Sequence, residues 1–407
     1  MQNAQVKRVA FLWDESFLWG VMAYKALRAA GLPFELVRAE DVRNGCLDRF
    51  SALFVPGGWA SNKIKALGNG GVEAIKRFVH EGGSYMGFCG GAGLATQDGI
   101  GLLPVKRRPT KDRVPSFSGP IQLDLKNHAL WQGIKEPIFH AWWPSQFVAD
   151  EGVTVLATYG EALPDAFSSD VNVGDAENSG LWPQLEQTYG INLDPRRLLN
   201  EPAVLEGRYG SGRVLLSLVH FDSPDDRSGV VVLKNLWRYL VASEQNETPN
   251  GKRSASVPDK RTCEQEEVVS VDIFVQELNS SVNELISLGQ RNFLWFWRNP
   301  MLLQWRRGVR GLEYCTLSVM MREIAELLQH GCAAGMPVVS DRLENVRNSL
   351  LPFVEQAKQL LVKERFALQE SHITYERCND PEMQVLREKL FSCLLYTSDA
   401  ADEEDSV

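Results

Sequence analysis

The stretch Ser84-Tyr85-Met86-Gly87-Phe88-Cys89-Gly90-Gly91-Ala92 decides the fold. Its first five residues form an apolar run typical of a buried strand, and the glycines around Cys89 predict a sharp strand-to-helix turn. A side chain on such a turn is held in a crowded backbone conformation, and the N-terminus of the following helix lowers the pKa of a thiol. Two interpretations stay open for this segment alone: Cys89 is a nucleophile, or it is a small buried residue in a glycine-rich turn.

Two other apolar runs end in residues that favour the first interpretation. One run ends at Gly57 and Gly58, whose amide groups can point at an oxyanion. A later run ends at His220, followed two residues on by Asp222, which together supply a base and a group that orients it. Since parallel strands gather their carboxyl ends at one edge of an α/β sheet, the sequence predicts a triad of these two residues with Cys89. Taken singly, each has an ordinary alternative, a plain turn or a structural histidine.

Strands alternate with helices in the first part of the chain, which predicts a doubly wound, mostly parallel sheet. The predicted strands cover 7–13, 34–38, 53–56, 84–88, 121–125 and 153–158. Two more, 203–208 and 213–219, form a predicted hairpin. The predicted helices cover 17–30, 71–80 and 230–242.

An aromatic segment at 139–147 lies in the less regular middle of the chain. Alternating aromatic and polar residues suit a pocket that stacks an apolar substrate face and orients it with a few hydrogen bonds. The alternative is an edge strand whose tryptophans cover the sheet. On the first interpretation, the predicted pocket residues are Gly57, Trp59, His140, Trp142, Trp143 and Gln146.

The second half of the chain has a different period. A polar linker is predicted over 244–262, and a helical domain over 263–393, because apolar residues there recur at helical spacing. The expected architecture is an all-α bundle. The aromatic and arginine-rich stretch at 293–310 is either bundle core, a docking face for another protein domain, or a membrane-surface patch. Residues 394–407 resemble translated adapter sequence, so we expect a disordered tail that is an artefact.

Composition excludes several classes of function. The chain has 407 residues and a net charge of −9, which leaves no basic footprint for nucleic acid. No apolar run reaches the length of a membrane span and no signal segment is visible, so a cytoplasmic location is expected. The seven cysteines are scattered, with no Cys-x-x-Cys, which favours reduced thiols over a disulfide or zinc framework. We expect no metal and no cofactor.

Three motifs together resemble the class I glutamine amidotransferase-like superfamily. They are Pro56-Gly57-Gly58, the stretch 82–92 and His220-Phe221-Asp222. Within that superfamily the resemblance is to the N-terminal domain of biotin protein ligases and its stand-alone bacterial relatives, and it covers 7–242. It implies a flavodoxin-like sheet over 1–243.

The resemblance also implies roles for individual residues. Cys89 corresponds to the nucleophile, His220 to the base and Asp222 to the orienting carboxylate. The amides of Gly58 and Gly90 correspond to the oxyanion donors. These roles describe an enzyme that acts on an amide or related acyl carbon through a thioester.

The sequence departs from that family at two positions of the site. Gly93 stands where glutamine-hydrolysing members usually carry a glutamine, and Phe221-Asp222 stands where they carry Pro-Glu. The biotin-binding half of a ligase is also missing, since Arg307-Gly308-Val309-Arg310-Gly311 lies in a helical pattern, so no biotin ligase activity is expected.

Two functions of different class follow from these features. One is a Cys-His-Asp hydrolase or amidotransferase-like enzyme with an unidentified small-molecule substrate. The alternative is a non-catalytic ligand-sensing or scaffold module. In both, the helical domain is a candidate contact for a partner protein.

Overall fold

The structure is a computed structural model that describes residues 8–241, 265–329, 336–370 and 381–392. These residues fall into two compact units, 8–241 and the remainder. The predicted linker at 244–262 and the predicted tail at 394–407 both lie outside the described residues. The predicted domain boundaries stay a prediction.

The first unit is built on one large sheet. Its strands, and those of a small separate ribbon formed by β5 and β8, are in chain order β1 Val9–Leu12, β2 Glu35–Val37, β3 Ala52–Val55, β4 Ser84–Phe88, β5 Val105–Arg107, β6 Phe117–Leu125, β7 Ile138–Trp142, β8 Phe147–Ala149, β9 Thr154–Ala162, β10 Phe167–Ser168, β11 Val171–Asn172, β12 Pro202–Tyr209 and β13 Gly212–Ser217. The helices are α1 Phe17–Ala29, α2 Ala39–Arg43, α3 Ala60–His80, α4 Gly90–Leu94, α5 Val173–Ser179, α6 Trp182–Tyr189 and α7 Arg227–Val241.

One half of the sheet is parallel. Its strand order is β2-β1-β3-β4-β13, and all four neighbouring pairs run in the same direction. This is the flavodoxin-like order, so the predicted fold is confirmed. The strands β1, β3 and β4 are buried along their whole length, as expected for parallel strands that are covered on both faces.

The other half of the sheet is antiparallel. From β13 it continues through β12, β9, β6, β10 and β11, and β7 pairs with β6 outside this path. An isolated bridge also joins His140 of β7 to His220. The irregular middle of the sequence therefore extends the parallel half of the sheet, and its strand β7 reaches the segment that carries His220.

Among the element boundaries that differ from the sequence prediction, two concern residues of the candidate site. Helix α3 begins at Ala60 rather than at residue 71, because Gly68 interrupts the helix with a non-helical backbone (φ 58°) and breaks the apolar pattern. Strand β13 ends at Ser217, so His220 lies in the turn after the strand rather than on it.

The second unit contains four described helices and one hairpin. Its elements are α8 Gln265–Arg291, β14 Trp295–Asn299, β15 Leu302–Trp305, α9 Gly311–Gln329, α10 Met336–Glu370 and α11 Pro381–Ser392. Helix α8 packs against both α9 and α10. The unit is helical as expected, and it also contains the hairpin of β14 and β15, whose aromatic residues have high strand propensity.

The arginine-rich part of this unit also differs from expectation. The segment 306–310 forms the connection between β15 and α9 and not part of a helix. Arg310 is paired with Glu313 at 3.0 Å, and the Gly308 carbonyl accepts a hydrogen bond from Arg387. Trp295 is buried, and its indole nitrogen donates to the Ile286 carbonyl. Within the described ranges, no helix is both long and apolar enough to cross a membrane.

Candidate active site

Cys89 occupies a strained turn between β4 and α4. Its backbone has φ 49° and ψ −111°, a region that residues with a side chain rarely adopt. The turn is held in place by its amide, which donates a hydrogen bond to the Ser217 carbonyl of β13 at 2.7 Å. The side chain is 5% exposed, and its sulfur lies 3.9 Å from the Trp142 carbonyl. The sequence places this thiol in a nucleophile-type elbow.

The glycines around Cys89 are required by close backbone contacts. A Cβ atom on Gly90 would lie 1.4 Å from the Gly58 carbonyl oxygen, and one on Gly91 would lie 2.0 Å from the Val55 carbonyl oxygen. Gly58 itself has φ 107°, which only glycine adopts without strain. The elbow and the loop after β3 therefore interlock through backbone atoms.

His220 and Asp222 form a fully buried pair. The distance from His220 Nδ1 to Asp222 Oδ1 is 2.9 Å, and both side chains are 0% exposed. The other ring nitrogen, Nε2, is buried and has no hydrogen bond of good geometry in the described part of the chain. Nε2 is therefore the nitrogen that can exchange a proton with Cys89, and Cys89 is one of the groups that raise the pKa of this ring.

The charges around His220 favour its protonated form. Burial lowers the pKa of the imidazole, but the Asp222 carboxylate, through its charge and its hydrogen bond, outweighs this, and Cys89 adds to the effect. The net result raises the pKa of His220 to about 10. An imidazolium next to a thiol is the pairing on which cysteine nucleophiles depend.

The two predicted oxyanion donors lie beside the nucleophile. Gly90 is the first residue of α4 and Gly58 touches it, as the close contact above shows. Neither amide donates a hydrogen bond to another described residue. Both amides are therefore available to a negatively charged oxygen, and the roles assigned to them stay a prediction.

Aromatic rings surround the His220 ring. Trp19 packs on it with ring centroids 5.0 Å apart, and Trp143 contacts Trp19 at 5.8 Å. The backbone of His140 accepts a hydrogen bond from the His220 amide at 2.8 Å, and the His140 ring stacks on Trp142. Strand β7 pairs with β6 in the sheet and its backbone bonds to His220, while the role of its aromatic side chains in a substrate pocket stays a prediction.

The remaining predicted pocket residues have structural contacts of their own. Gln146 accepts a hydrogen bond from the Val114 amide at 2.9 Å and donates to the Arg197 carbonyl at 3.3 Å. Its amide group is therefore occupied in joining three segments. Gly57 lies against Trp19, since a Cβ there would be 2.8 Å from its ring. The Trp59 ring is buried and packs edge-on against Phe17.

Lys63 is a buried cation that the sequence analysis did not single out. Its Nζ donates to the Asp14 and Glu15 carbonyls at 3.2 and 3.0 Å and to Ser16 Oγ at 2.6 Å. Burial lowers its pKa to about 7, although the nearby negative charges of Glu15, Asp14 and Cys89 oppose that shift. The signal in the sequence is Ala60-x-x-Lys63-x-x-x-Leu67, a lysine at helical spacing on an apolar face.

The Lys63 ammonium group also supports the oxyanion loop. It fixes the carbonyl of Glu15, and a Cβ on Gly58 would lie 2.1 Å from that oxygen. The Asp14 carboxylate is occupied on the other side of this loop, where it accepts a hydrogen bond from the Ala39 amide and pairs with Arg38. Burial raises the pKa of the Glu15 carboxyl.

Part of the chain matches a known protein family. Residues 39–98 match the family model described as biotin-protein ligase, N terminal, which confirms the resemblance over that segment. The match includes Cys89 and the Gly57-Gly58 loop but ends before His220. None of the curated proteins compared with this chain matches it.

The solved structures that are similar to part of this chain have TM-scores below 0.5. PurLQS from Thermotoga maritima is 16% identical with a TM-score of 0.38, covering 57% of this chain and 99% of its own. A glutamine amidotransferase from Thermotoga maritima is 11% identical with a TM-score of 0.35, covering 58% and 99%. A β-galactosidase from Rahnella sp. R3 is 16% identical with a TM-score of 0.35, covering 57% and 31%. With scores this low, the fold assignment depends on the chain's own strand order.

Proposed function

We propose that the first unit is a cysteine-dependent hydrolase or acyl transferase that acts on an amide or related acyl carbon. The observation that supports this most directly is the buried His220–Asp222 pair beside Cys89 on its strained elbow. A nucleophile, a base and a group that orients the base are the minimum that covalent acyl transfer requires.

In the first half of the proposed reaction, the Cys89 thiolate attacks the acyl carbon. A carbon–sulfur bond forms, and the carbonyl π electrons move to its oxygen, where the Gly58 and Gly90 amides can donate hydrogen bonds. The oxyanion then collapses, the carbon–nitrogen bond breaks, and the leaving amine takes a proton from His220 Nε2. A thioester on Cys89 remains.

In the second half, water or an amine attacks the thioester. His220, now neutral, accepts a proton from the attacking group, and the carbon–sulfur bond breaks to release the acid or the new amide. Asp222 holds Nδ1 throughout, which keeps Nε2 directed at the reacting atoms.

An activated ester that needs no specific pocket tests the proposal. With p-nitrophenyl acetate, we expect a burst of p-nitrophenolate and one acetyl group on Cys89, detected by intact mass and peptide mapping. Cys89→Ala should abolish both. Cys315 serves as an internal control, because burial raises its pKa to about 12 and it should not be acetylated.

The same experiment distinguishes the alternative function. Folded protein in which p-nitrophenyl acetate never acetylates Cys89 would favour the non-catalytic sensing or scaffold module. Acetylation spread over several cysteines or lysines would contradict the assignment of Cys89 as the nucleophile. The absence of biotin ligase activity is part of the proposal, supported by the internal pairing of Arg310 with Glu313.

A further inference from the structure

The space next to Gly93 is occupied by an arginine from another segment. Gly93 lies one helical turn after Cys89, because its amide donates to the Cys89 carbonyl at 2.9 Å. A side chain at position 93 would meet Arg107, whose Cδ and Nη1 each lie 3.7 Å from the position of a Cβ. The guanidinium of Arg107 therefore lies beside the first turn of α4, which directly follows the nucleophile.

This guanidinium lacks a protein partner. The Arg107 backbone is anchored by a hydrogen bond from its amide to Asp98 Oδ2 at 3.0 Å. Its Nε atom is buried without a hydrogen bond, and the guanidinium makes no ion pair with any described residue. The adjacent Arg108, by contrast, makes a two-pronged pair with Glu201 at 2.8 Å. A partly buried guanidinium without an acceptor is costly, and an anion that binds there offsets that cost.

We propose that Arg107 is the recognition group of a carboxylate subsite, and that the acyl substrate of Cys89 carries a carboxylate. The proposal rests on the proposed function and names a substrate class for it. A guanidinium presents parallel N–H donors that match the two oxygens of a carboxylate. Because Gly93 has no side chain, the Arg107 guanidinium lies against the first turn of α4, where the Gly93 amide donates to the Cys89 carbonyl.

Two alkylating reagents of nearly equal size test this at Cys89. Iodoacetate carries a carboxylate and iodoacetamide a neutral amide. The rate with iodoacetate divided by the rate with iodoacetamide therefore measures anion recognition. In the parent, we expect this ratio to exceed that of glutathione by about tenfold, the effect of one charge-assisted hydrogen-bonded pair. Arg107→Gln should lower the ratio to the glutathione value by slowing iodoacetate much more than iodoacetamide, while Arg107→Lys should retain part of the excess in the ratio.

Lys106→Gln is the matched control, since Lys106 is the exposed neighbouring cation and its removal changes net charge equally. A ratio unchanged in Arg107→Gln, or lowered equally in Lys106→Gln, would overturn the subsite.

If iodoacetamide fails to label Cys89 in the folded parent, the proposed function fails, and the subsite is then tested without the thiol. Sodium succinate should raise the Tm of Cys89→Ser above that in sodium chloride of equal ionic strength, and should not do so in the Arg107→Gln double variant. Equal shifts in both proteins, or none in either, would reject the subsite.

Discussion

Asp222→Asn removes the negative charge from the buried pair while keeping the shape of the side chain. Asparagine can still accept a hydrogen bond from His220 Nδ1, which lies 2.9 Å from Oδ1 in the parent. What it cannot supply is the charge that outweighs burial and raises the pKa of the imidazole. We therefore expect His220 to become neutral near pH 7, so that Cys89 loses its cationic partner.

The size of the effect follows from the pKa of His220. The rise from 6.5 to about 10 corresponds to about 5 kcal/mol at about 1.4 kcal/mol per pH unit, with Cys89 responsible for a share. Loss of the orienting charge in a triad lowers the rate by as much as about 10⁴-fold, so we expect alkylation of Cys89 to slow by roughly 10²- to 10⁴-fold at pH 7. A group with a raised pKa stabilises the fold fully below its unfolded value and loses that effect as pH rises through its folded value. The stability gap between parent and variant should therefore narrow from pH 6.5 towards pH 10.

Iodoacetamide rates at Cys89 measured from pH 6 to 10, with urea denaturation at the same pH values, provide the assay. Asp226→Asn is the matched control: its Oδ1 accepts a hydrogen bond from the Gly229 amide at the start of α7, and asparagine keeps this acceptor, so the change should have little effect on stability at pH 7. The control should alkylate like the parent. A folded Asp222→Asn protein with the parent's rate and pH profile would refute the assignment of Asp222.

Two further predictions concern other parts of the chain. For Lys63→Met, we expect the stability of the parent relative to the variant to increase between pH 7 and 10, by at most about 1.4 kcal/mol per pH unit. The reason is that the pKa of Lys63 is lowered in the folded protein, so the unfolded chain binds the proton more tightly. Denaturation of both proteins at pH 7 and 9 tests this, and a stability difference that does not change with pH would contradict the lowered pKa. Biotin with ATP should give no biotinyl-adenylate by mass spectrometry, since Arg310 is engaged with Glu313 and Gly308 with Arg387; detection of the adenylate would reject this.

Much of the parallel half of the fold could be predicted from the sequence because its signals are local. Buried parallel strands appear as continuous apolar runs, and the elbow requires glycines on both sides of Cys89. The antiparallel half was harder, since its pairings join segments that are distant in the chain and register shifts interrupt the pairing of β9 with β12 and with β6. The hairpin of the second unit was missed because an aromatic run fits a helix core or a strand equally well.

The candidate site shows the same division. Cys89, His220 and Asp222 were found because a nucleophile, base and carboxylate have recognisable residue types and spacing. Lys63 and Arg107 were not, because a single cation on a helix or short strand carries no motif. Their significance comes from three-dimensional contacts: the three acceptors around Lys63, and the position of the Arg107 guanidinium beside Gly93.

The two halves of the sheet contribute differently to the site. The parallel half fixes the nucleophile, because the elbow at Cys89 is locked by backbone contacts with Gly58 and by the hydrogen bond to Ser217. The antiparallel half supports the base, because the His140 carbonyl binds the His220 amide. Side chains on β7 can therefore change without moving the backbone atoms that hold the triad. If the proposed function is correct, the glycine contacts determine that acyl transfer occurs, and β7 together with Arg107 determines which acyl group is used.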